Sequence, residues 1–194
     1  MNIMMKRLLI FCIIICSVVF PCLFLIITGN ANLFIDSYAV DSYDRLYIGK
    51  EGKIDVYENG SLQYSIDART SKSCAFTITE NDCIVLSTAS HVYTLTLQGD
   101  EISVCDDPGS SMFTKLQNGS RTFHSKNGNT YERVCYFGRT KIVKNDEEVV
   151  YQMDLLSFAV KILMAGSVVA LFCFVIYMIV EDFKRRKTGD GSLS

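Results

Sequence analysis

Residues 8–27 run without a single charge, and about twenty apolar residues in a helix match the thickness of a bilayer's hydrocarbon layer. A second uncharged run covers residues 162–180. Two such stretches in a chain of 194 residues remove about fifty residues from any water-soluble core, and leave one domain of roughly 125 residues between them. The expected layout is a short N-terminus (residues 1–7), a transmembrane helix (8–28) and a β-rich outer domain (29–154). An interfacial and transmembrane helix (155–180) and a basic tail (181–194) follow.

Charge orients the two spans. Lys6 and Arg7 stand directly before the first, and Lys184, Arg185, Arg186 and Lys187 follow the second, whereas Asp36, Asp41 and Asp44 lie beyond the first span. Positive flanks stay inside, so both termini are expected in the cytoplasm of a multi-pass cell-membrane protein. Gly29 and Ala31 also have the small side chains that signal peptidase accepts, so a cleaved leader is the rival reading of the first stretch, although cleavable cores run only about seven to fifteen residues. Pro21 is tolerable there if neighbours satisfy the freed carbonyl. Gly166 and Ala170 form a small-xxx-small pair suited to close helix packing, within the chain or in a homo-oligomer.

Between the spans, apolar residues alternate: Leu46, Ile48, then Ile54, Val56, then Leu62, Tyr64, Ile66. That period belongs to half-buried strands. Lys50-Glu51-Gly52 and Glu58-Asn59-Gly60 read as three-residue hairpin loops, which set Ile48 opposite Ile54 and Val56 opposite Leu62. Glu80-Asn81-Asp82 aligns Phe76 with Leu86 and Ile78 with Ile84, Lys126-Asn127-Gly128 joins strands near Phe123 and Tyr131, and Gln98-Gly99-Asp100-Glu101 makes a further turn. The fold class expected is a membrane protein with two transmembrane helices flanking an all-β antiparallel domain.

An internal repeat runs through this domain. Asp44-Arg45-Leu46-Tyr47-Ile48 answers to Asp82-Cys83-Ile84-Val85-Leu86, and Lys53-Ile54 to His91-Val92 at the same offset of 38. A third copy begins near Asn129, with Lys141-Ile142 as its anchor. A period of about forty residues with several strands each is the mark of propeller blades. The segment DRLYIGKEGKIDVYENGSLQYSI resembles a blade of the NHL or quinoprotein-like propellers. Three copies are too few for a ring of four to eight blades, so assembly with another chain, a small sandwich and an open barrel all stay open. The arrangement of helix, hairpin domain, IVKNDEEVVYQM and second helix also resembles uncharacterised two-pass membrane proteins of Gram-positive bacteria, a likeness that implies no activity.

Four cysteines (Cys12, Cys16, Cys22, Cys173) lie in the apolar stretches as small hydrophobes. Cys74, Cys83, Cys105 and Cys135 fall in the outer domain, where disulfides persist, and four cysteines allow three pairings. Cys74 and Cys83 point to opposite faces, which disfavours that pair; four free thiols are the alternative. No C-x-x-C spacing or histidine partner suggests zinc. His91 and His124 lack a nucleophile motif nearby, and Asp106-Asp107 and Asp146-Glu147-Glu148 sit in turns without calcium-loop spacing, so all read as solvated surface. The sequons at Asn59 and Asn118 matter only in a secretory pathway that glycosylates. Pro108-Gly109-Ser110-Ser111 reads as loop. No phosphate-cradling loop or dinucleotide fingerprint occurs, so no cofactor is expected. A net charge of -2 and a pI near 5.7 give no field for nucleic acid.

These observations point to a non-enzymatic outer module, tethered at both ends, that recognises a protein or envelope component. The rival is an accessory subunit of a membrane transport or secretion complex, with the helices as its interaction surface. The expected partners are the lipid bilayer and a membrane or envelope protein.

Overall fold

A computed structural model describes residues 3–50, 52–70, 75–88, 90–107, 111–117 and 122–189. It divides into two compact units, Met1–Ala31 with Leu156–Ser194, and Asn32–Leu155. Along the described residues come α1 (Ile3–Ile27), twelve strands with a short helix α2 (Ser111–Gln117) between the eighth and ninth, and α3 (Leu155–Gly189).

In the first unit the helices run antiparallel. The Phe11 ring stacks on Phe174 at 4.0 Å, and Arg7 Nη1 donates to the Tyr177 hydroxyl at 2.7 Å. Falling numbers on α1 thus meet rising numbers on α3, which brings Lys6 and Arg7 to the end of the pair where Lys184 lies. Cys22, Val160 and Ser167 are buried, while Phe24 and Phe172 are 66% and 67% exposed. Both helices are long and apolar enough to cross a membrane. The helices extend beyond the spans expected from the sequence. The second helix does not stop at residue 180 but continues through Arg185, Arg186 and Lys187 to Gly189, because nothing in that basic run breaks a helix. The first ends where Gly29 takes a left-handed φ of 71° and donates its N–H to Ile26 O at 2.9 Å. Gly29 therefore has a helix-capping role of its own.

The second unit contains three four-stranded antiparallel meanders, each in sequence order. The first is β1 (Ser37–Val40), β2 (Leu46–Lys50), β3 (Lys53–Glu58) and β4 (Ser61–Asp67). The second is β5 (Ala75–Ile78), β6 (Ile84–Ser87), β7 (His91–Leu95) and β8 (Glu101–Asp106). The third is β9 (Thr122–His124), β10 (Thr130–Tyr136), β11 (Arg139–Lys144) and β12 (Glu148–Gln152). The repeat in the sequence is therefore a repeat of meanders: Lys53, His91 and Lys141 all fall on third strands. No barrel or ring is closed among the described residues.

Strand alternation places the core. One face of the first meander, with Ala39, Tyr47, Ile54 and Val56, packs against Phe76, Ile84 and Leu86 of the second. The opposite face, with Val40, Leu46 and Ile48, packs against Tyr131 and Ile142 of the third. Burial of both faces of β2 and β3 explains one difference in register, and the turn at Asn59-Gly60 a second. Lys50 pairs with Lys53, so Gly49 rather than Ile48 stands opposite Ile54. Likewise Glu58 pairs with Ser61, and an irregularity at Val56/Tyr57 sets Val56 against Tyr64 rather than Leu62. When both faces are apolar, the hydrophobic pattern cannot choose between neighbouring registers; the turn chooses. Asn59 and Gly60 both have positive φ, 49° and 75°, the requirement of a two-residue type I′ turn. Phe76 opposite Leu86 and Ile78 opposite Ile84 agree with expectation, and Tyr131 pairs with Phe123 across the loop at 126–128.

Candidate functional site

The loops joining the first and second strands of the three meanders share one backbone design. In each, the first residue's N–H donates to the fifth residue's carbonyl and the fourth's N–H to the first's: Asp41/Arg45/Asp44, Thr79/Cys83/Asp82 and Ser125/Asn129/Gly128. The fourth residue is left-handed in all three, at φ 63°, 55° and 78°. Asp, Asn and Gly tolerate that conformation best. In the first two loops the first residue also closes the loop with its side chain: Asp41 Oδ1 accepts from the N–H of Tyr43 and of Arg45, each at 2.9 Å. Thr79 Oγ1 accepts from Cys83 N at 3.2 Å.

These three loops meet. Ser42 donates from its N–H to Asp82 Oδ1 at 3.1 Å and from its hydroxyl to Oδ2 at 2.6 Å. Asn127 Nδ2 donates to the Ser42 carbonyl at 3.0 Å, and Asn129 Nδ2 to Asp44 Oδ2 at 2.8 Å. Lys126 Nζ donates to the Glu80 carbonyl, which joins the third loop to the second. Every pair of loops is thus hydrogen-bonded, and the meanders are latched together at one end of their first strands.

The charges in this cluster are matched. Arg45 Nε lies 2.7 Å from Asp41 Oδ2, and Lys144 Nζ 3.5 Å from Asp44 Oδ2. Hydrogen bonding by the Ser42 hydroxyl holds the Asp82 carboxyl below its ordinary value, with Lys126 and Arg45 adding to the effect against partial burial. For Asp44 burial pushes upward, but the hydroxyls of Ser125 and Tyr131, the Asn127 amide and Lys144 outweigh it and lower the pKa. At the surface of the cluster Tyr43 is 72% exposed, with the Arg45 guanidinium 5.3 Å from its ring centre. Asn81, Lys126 and Asn127 are exposed beside it. A rigid polar base carrying an exposed aromatic and amide groups suits recognition, because little ordering entropy remains to be lost on binding.

A second polar group lies between the first and third meanders. Lys50 Nζ, on a nearly buried side chain, is 2.6 Å from Asp55 Oδ2 and donates to the Tyr57 hydroxyl at 3.1 Å. Ser65 Oγ donates to Asp55 Oδ1 at 2.6 Å, and the ammonium lies 5.4 Å from the Tyr151 ring centre. Burial opposes both charges, yet Lys50, Ser65 and Lys53 keep the Asp55 pKa low. Tyr151, Asp55 and Tyr57 keep that of Lys50 high. With the Lys50–Asp55 pair nearly buried and hydrogen-bonded on both sides, this group fixes how the two sheets face one another.

The residues singled out in the sequence are dispersed. Cys83, Cys105 and Cys135 carry free thiols on the β5–β6 loop, β8 and β10, and Cys74 lies outside the described residues. His91 Nδ1 is 2.7 Å from Ser90 Oγ and its Nε2 3.4 Å from Asp106 Oδ1, but that Asp106 side chain is 86% exposed. A carboxylate so fully hydrated orients an imidazole weakly. His124 is on β9 of another sheet, with Nδ1 3.2 Å from Thr130 Oγ1. Asp107 Oδ2 accepts from Met112 N at 3.0 Å in the first turn of α2, and Asp146, Glu147 and Glu148 are exposed at the β11–β12 turn. Among the described residues no group of three His, Cys, Asp or Glu side chains could hold a metal ion. Asn118 and residues 108–110 lie outside the described residues. Gly166 is exposed, and nothing lies within 4 Å of a Cβ built on it.

No family model matches the chain, and no curated protein matches it at a significant level. Among solved structures, a protein of unknown function from Bacteroides caccae superposes with a TM-score of 0.34 at 11% identity, over 62% of this chain and 46% of that one. The WD40 domain of Neurospora crassa Pan2 superposes with a TM-score of 0.33 at 14% identity, over 61% and 37%. The chain thus spans under half the length of either. Likeness this low carries nothing over to this protein.

Proposed function

We propose that the chain is a two-pass membrane protein with both termini in the cytoplasm, whose outer β-domain recognises a protein or envelope component without catalysis. The three meanders act in it as propeller-like blades, and the surface that binds is the cluster of loops at 41–45, 79–83 and 125–129. One observation carries this reading: three loops far apart in sequence are hydrogen-bonded into one platform, with Tyr43 exposed on it. Exposed tyrosine on a fixed base contributes contact area at low entropic cost.

Two experiments test it. In a cysteine-free background, an impermeant maleimide on intact cells should label a reporter at Tyr43 and neither of two reporters at Asn2 and Lys187; label at either end overturns the topology. A photoreactive residue at Tyr43 or Lys126 should give one discrete adduct, absent when the group is moved to Ile102 on β8. Equal adducts from all three positions would count against the loop platform.

A second reading has its own observation. The open space around Gly166 means that α1 does not fill that side of α3, which suits a further helix from a partner or a second copy. Gly166→Leu with Ala170→Leu would then abolish co-assembly while the β-domain folds normally. The basic run from Lys184 to Lys187 would add attraction for anionic headgroups of about 1 kcal/mol per cation.

A further inference from the structure

The turn between β10 and β11 breaks two rules at once. Tyr136 pairs with Arg139, so the loop is the two residues Phe137 and Gly138, with φ 46° and 83°. This is the conformation of Asn59-Gly60 in the first meander, at 49° and 75°. Asparagine suits a left-handed position; a bulky residue there is an outlier. Phe137 is also 80% exposed and Tyr136 69%, their rings meeting edge to face at 4.6 Å. Thus the phenylalanine serves neither the turn nor the core.

Where this turn sits gives the reason. β12 runs antiparallel to β11, with Gln152 opposite Lys141. The pairing continues past the strand end, for Met153 N–H donates to Thr140 O at 2.9 Å and Arg139 Nε to Met153 O at 3.1 Å. Two residues later, at Leu155, the apolar span Leu155–Glu181 begins, and two residues reach no further than about 7 Å. By this register Phe137 and Gly138 lie at the end of the third sheet from which the chain continues into that span. Tyrosine, with its polar edge, is enriched at the boundary between headgroups and acyl chains, and phenylalanine supplies the apolar face of interfacial segments.

We infer that the Tyr136-Phe137 tip is an interfacial anchor that inserts into the headgroup–acyl boundary of the bilayer crossed by α3, fixing the tilt of the β-domain over the membrane. This rests on the two-pass reading and adds a third membrane contact to it. Two covalent tethers alone leave a domain free to rock; a third contact defines a plane.

The chain has no tryptophan, which makes the test clean. Full-length protein carrying Phe137→Trp, Tyr43→Trp or Phe172→Trp is reconstituted into phosphatidylcholine vesicles with lipid brominated near the top of the acyl chain. The expected result is quenched, blue-shifted emission from F137W and quenched emission from F172W, with Y43W unaffected. Equal behaviour of F137W and Y43W beside a quenched F172W overturns the anchor and leaves the membrane spans standing. An unquenched F172W removes the spans and the anchor together. Tyr136→Trp repeats the test at the neighbouring ring should F137W misfold, and emission indistinguishable from that of Y43W overturns the inference equally.

Discussion

The β-domain and the helix pair treat the same side chains in opposite ways. Ile54 and Leu86 are wholly buried between sheets, whereas Ile13 is 60% exposed on α1 and Val169 61% exposed on α3. In the domain each sheet supplies another with an apolar surface. Two helices can cover only one stripe of each other, which leaves long, continuous apolar faces exposed, as a membrane-crossing pair requires. The two-pass proposal attributes the difference to the medium each region is built for. Charge follows the same division: the domain buries Lys50 and Asp55 because each has the other, while residues 8–27 contain no ionisable side chain beyond their cysteines.

Removing half of that buried pair should have the largest effect. Asp55→Ala leaves the Lys50 ammonium enclosed with its main counter-charge gone, and should cost about 3–5 kcal/mol in denaturant unfolding of the β-domain. The double replacement Lys50→Met with Asp55→Leu should recover most of the loss, since two apolar groups of similar volume need no partner. If the single change costs no more than the double, the pair is not what joins the first and third sheets.

Placing one new charge in each region sharpens the contrast. Leu62 on β4 and Val169 on α3 are similarly exposed, 53% and 61%. Leu62→Arg should change stability by no more than about 0.5 kcal/mol, as surface substitutions do. Val169→Arg should disfavour membrane insertion by about 2.5–3.5 kcal/mol, read as the fraction extracted by alkaline carbonate. Equal tolerance at the two sites would mean that α3 does not face lipid at Val169.

Acid should loosen the domain by a smaller, graded amount. Asp44, Asp55 and Asp82 all have folded pKa values below the ordinary 3.8, so the unfolded chain takes up protons first. Their contribution is complete above 3.8 and is lost as pH falls from there through the folded values. The thermal midpoint of the domain should therefore fall below about pH 4, and Asp55→Asn should flatten that slope. A midpoint rising with acid would contradict the hydrogen bonds assigned to these carboxylates.

Both long apolar helices and the strand content were legible because each has one dominant signal: absence of charge over about twenty residues, and a period of two. The repeat was legible too, since Asp44 and Asp82 occupy the same left-handed position in equivalent loops. Registers between β2, β3 and β4 were not, because Ile48, Gly49 and Ile54 are buried alike whichever way the pairing slips. The loop platform escaped notice because Ser42–Asp82 and Asn129–Asp44 join residues about forty and eighty-five apart, and one sequence has no local signal for such pairs. The loops' first residues, Asp41, Thr79 and Ser125, all with side-chain acceptors, were the available clue.

The smallest expected effect concerns the one turn whose chemistry contradicts its conformation. Asn59-Gly60 and Phe137-Gly138 share backbone angles, so Phe137→Asn gives the second turn the residues of the first. With the protein in detergent, the β10–β11 hairpin should gain about 0.5–1 kcal/mol, since asparagine accepts the left-handed position that phenylalanine resists. Amide hydrogen exchange at Cys135 and Thr140, opposite one another next to the turn, should slow accordingly. In vesicles the sign should reverse, because the same change removes an apolar ring from the lipid boundary. An equal gain in both media would mean that Phe137 has no role at the membrane, and its strain would then have no explanation in this structure.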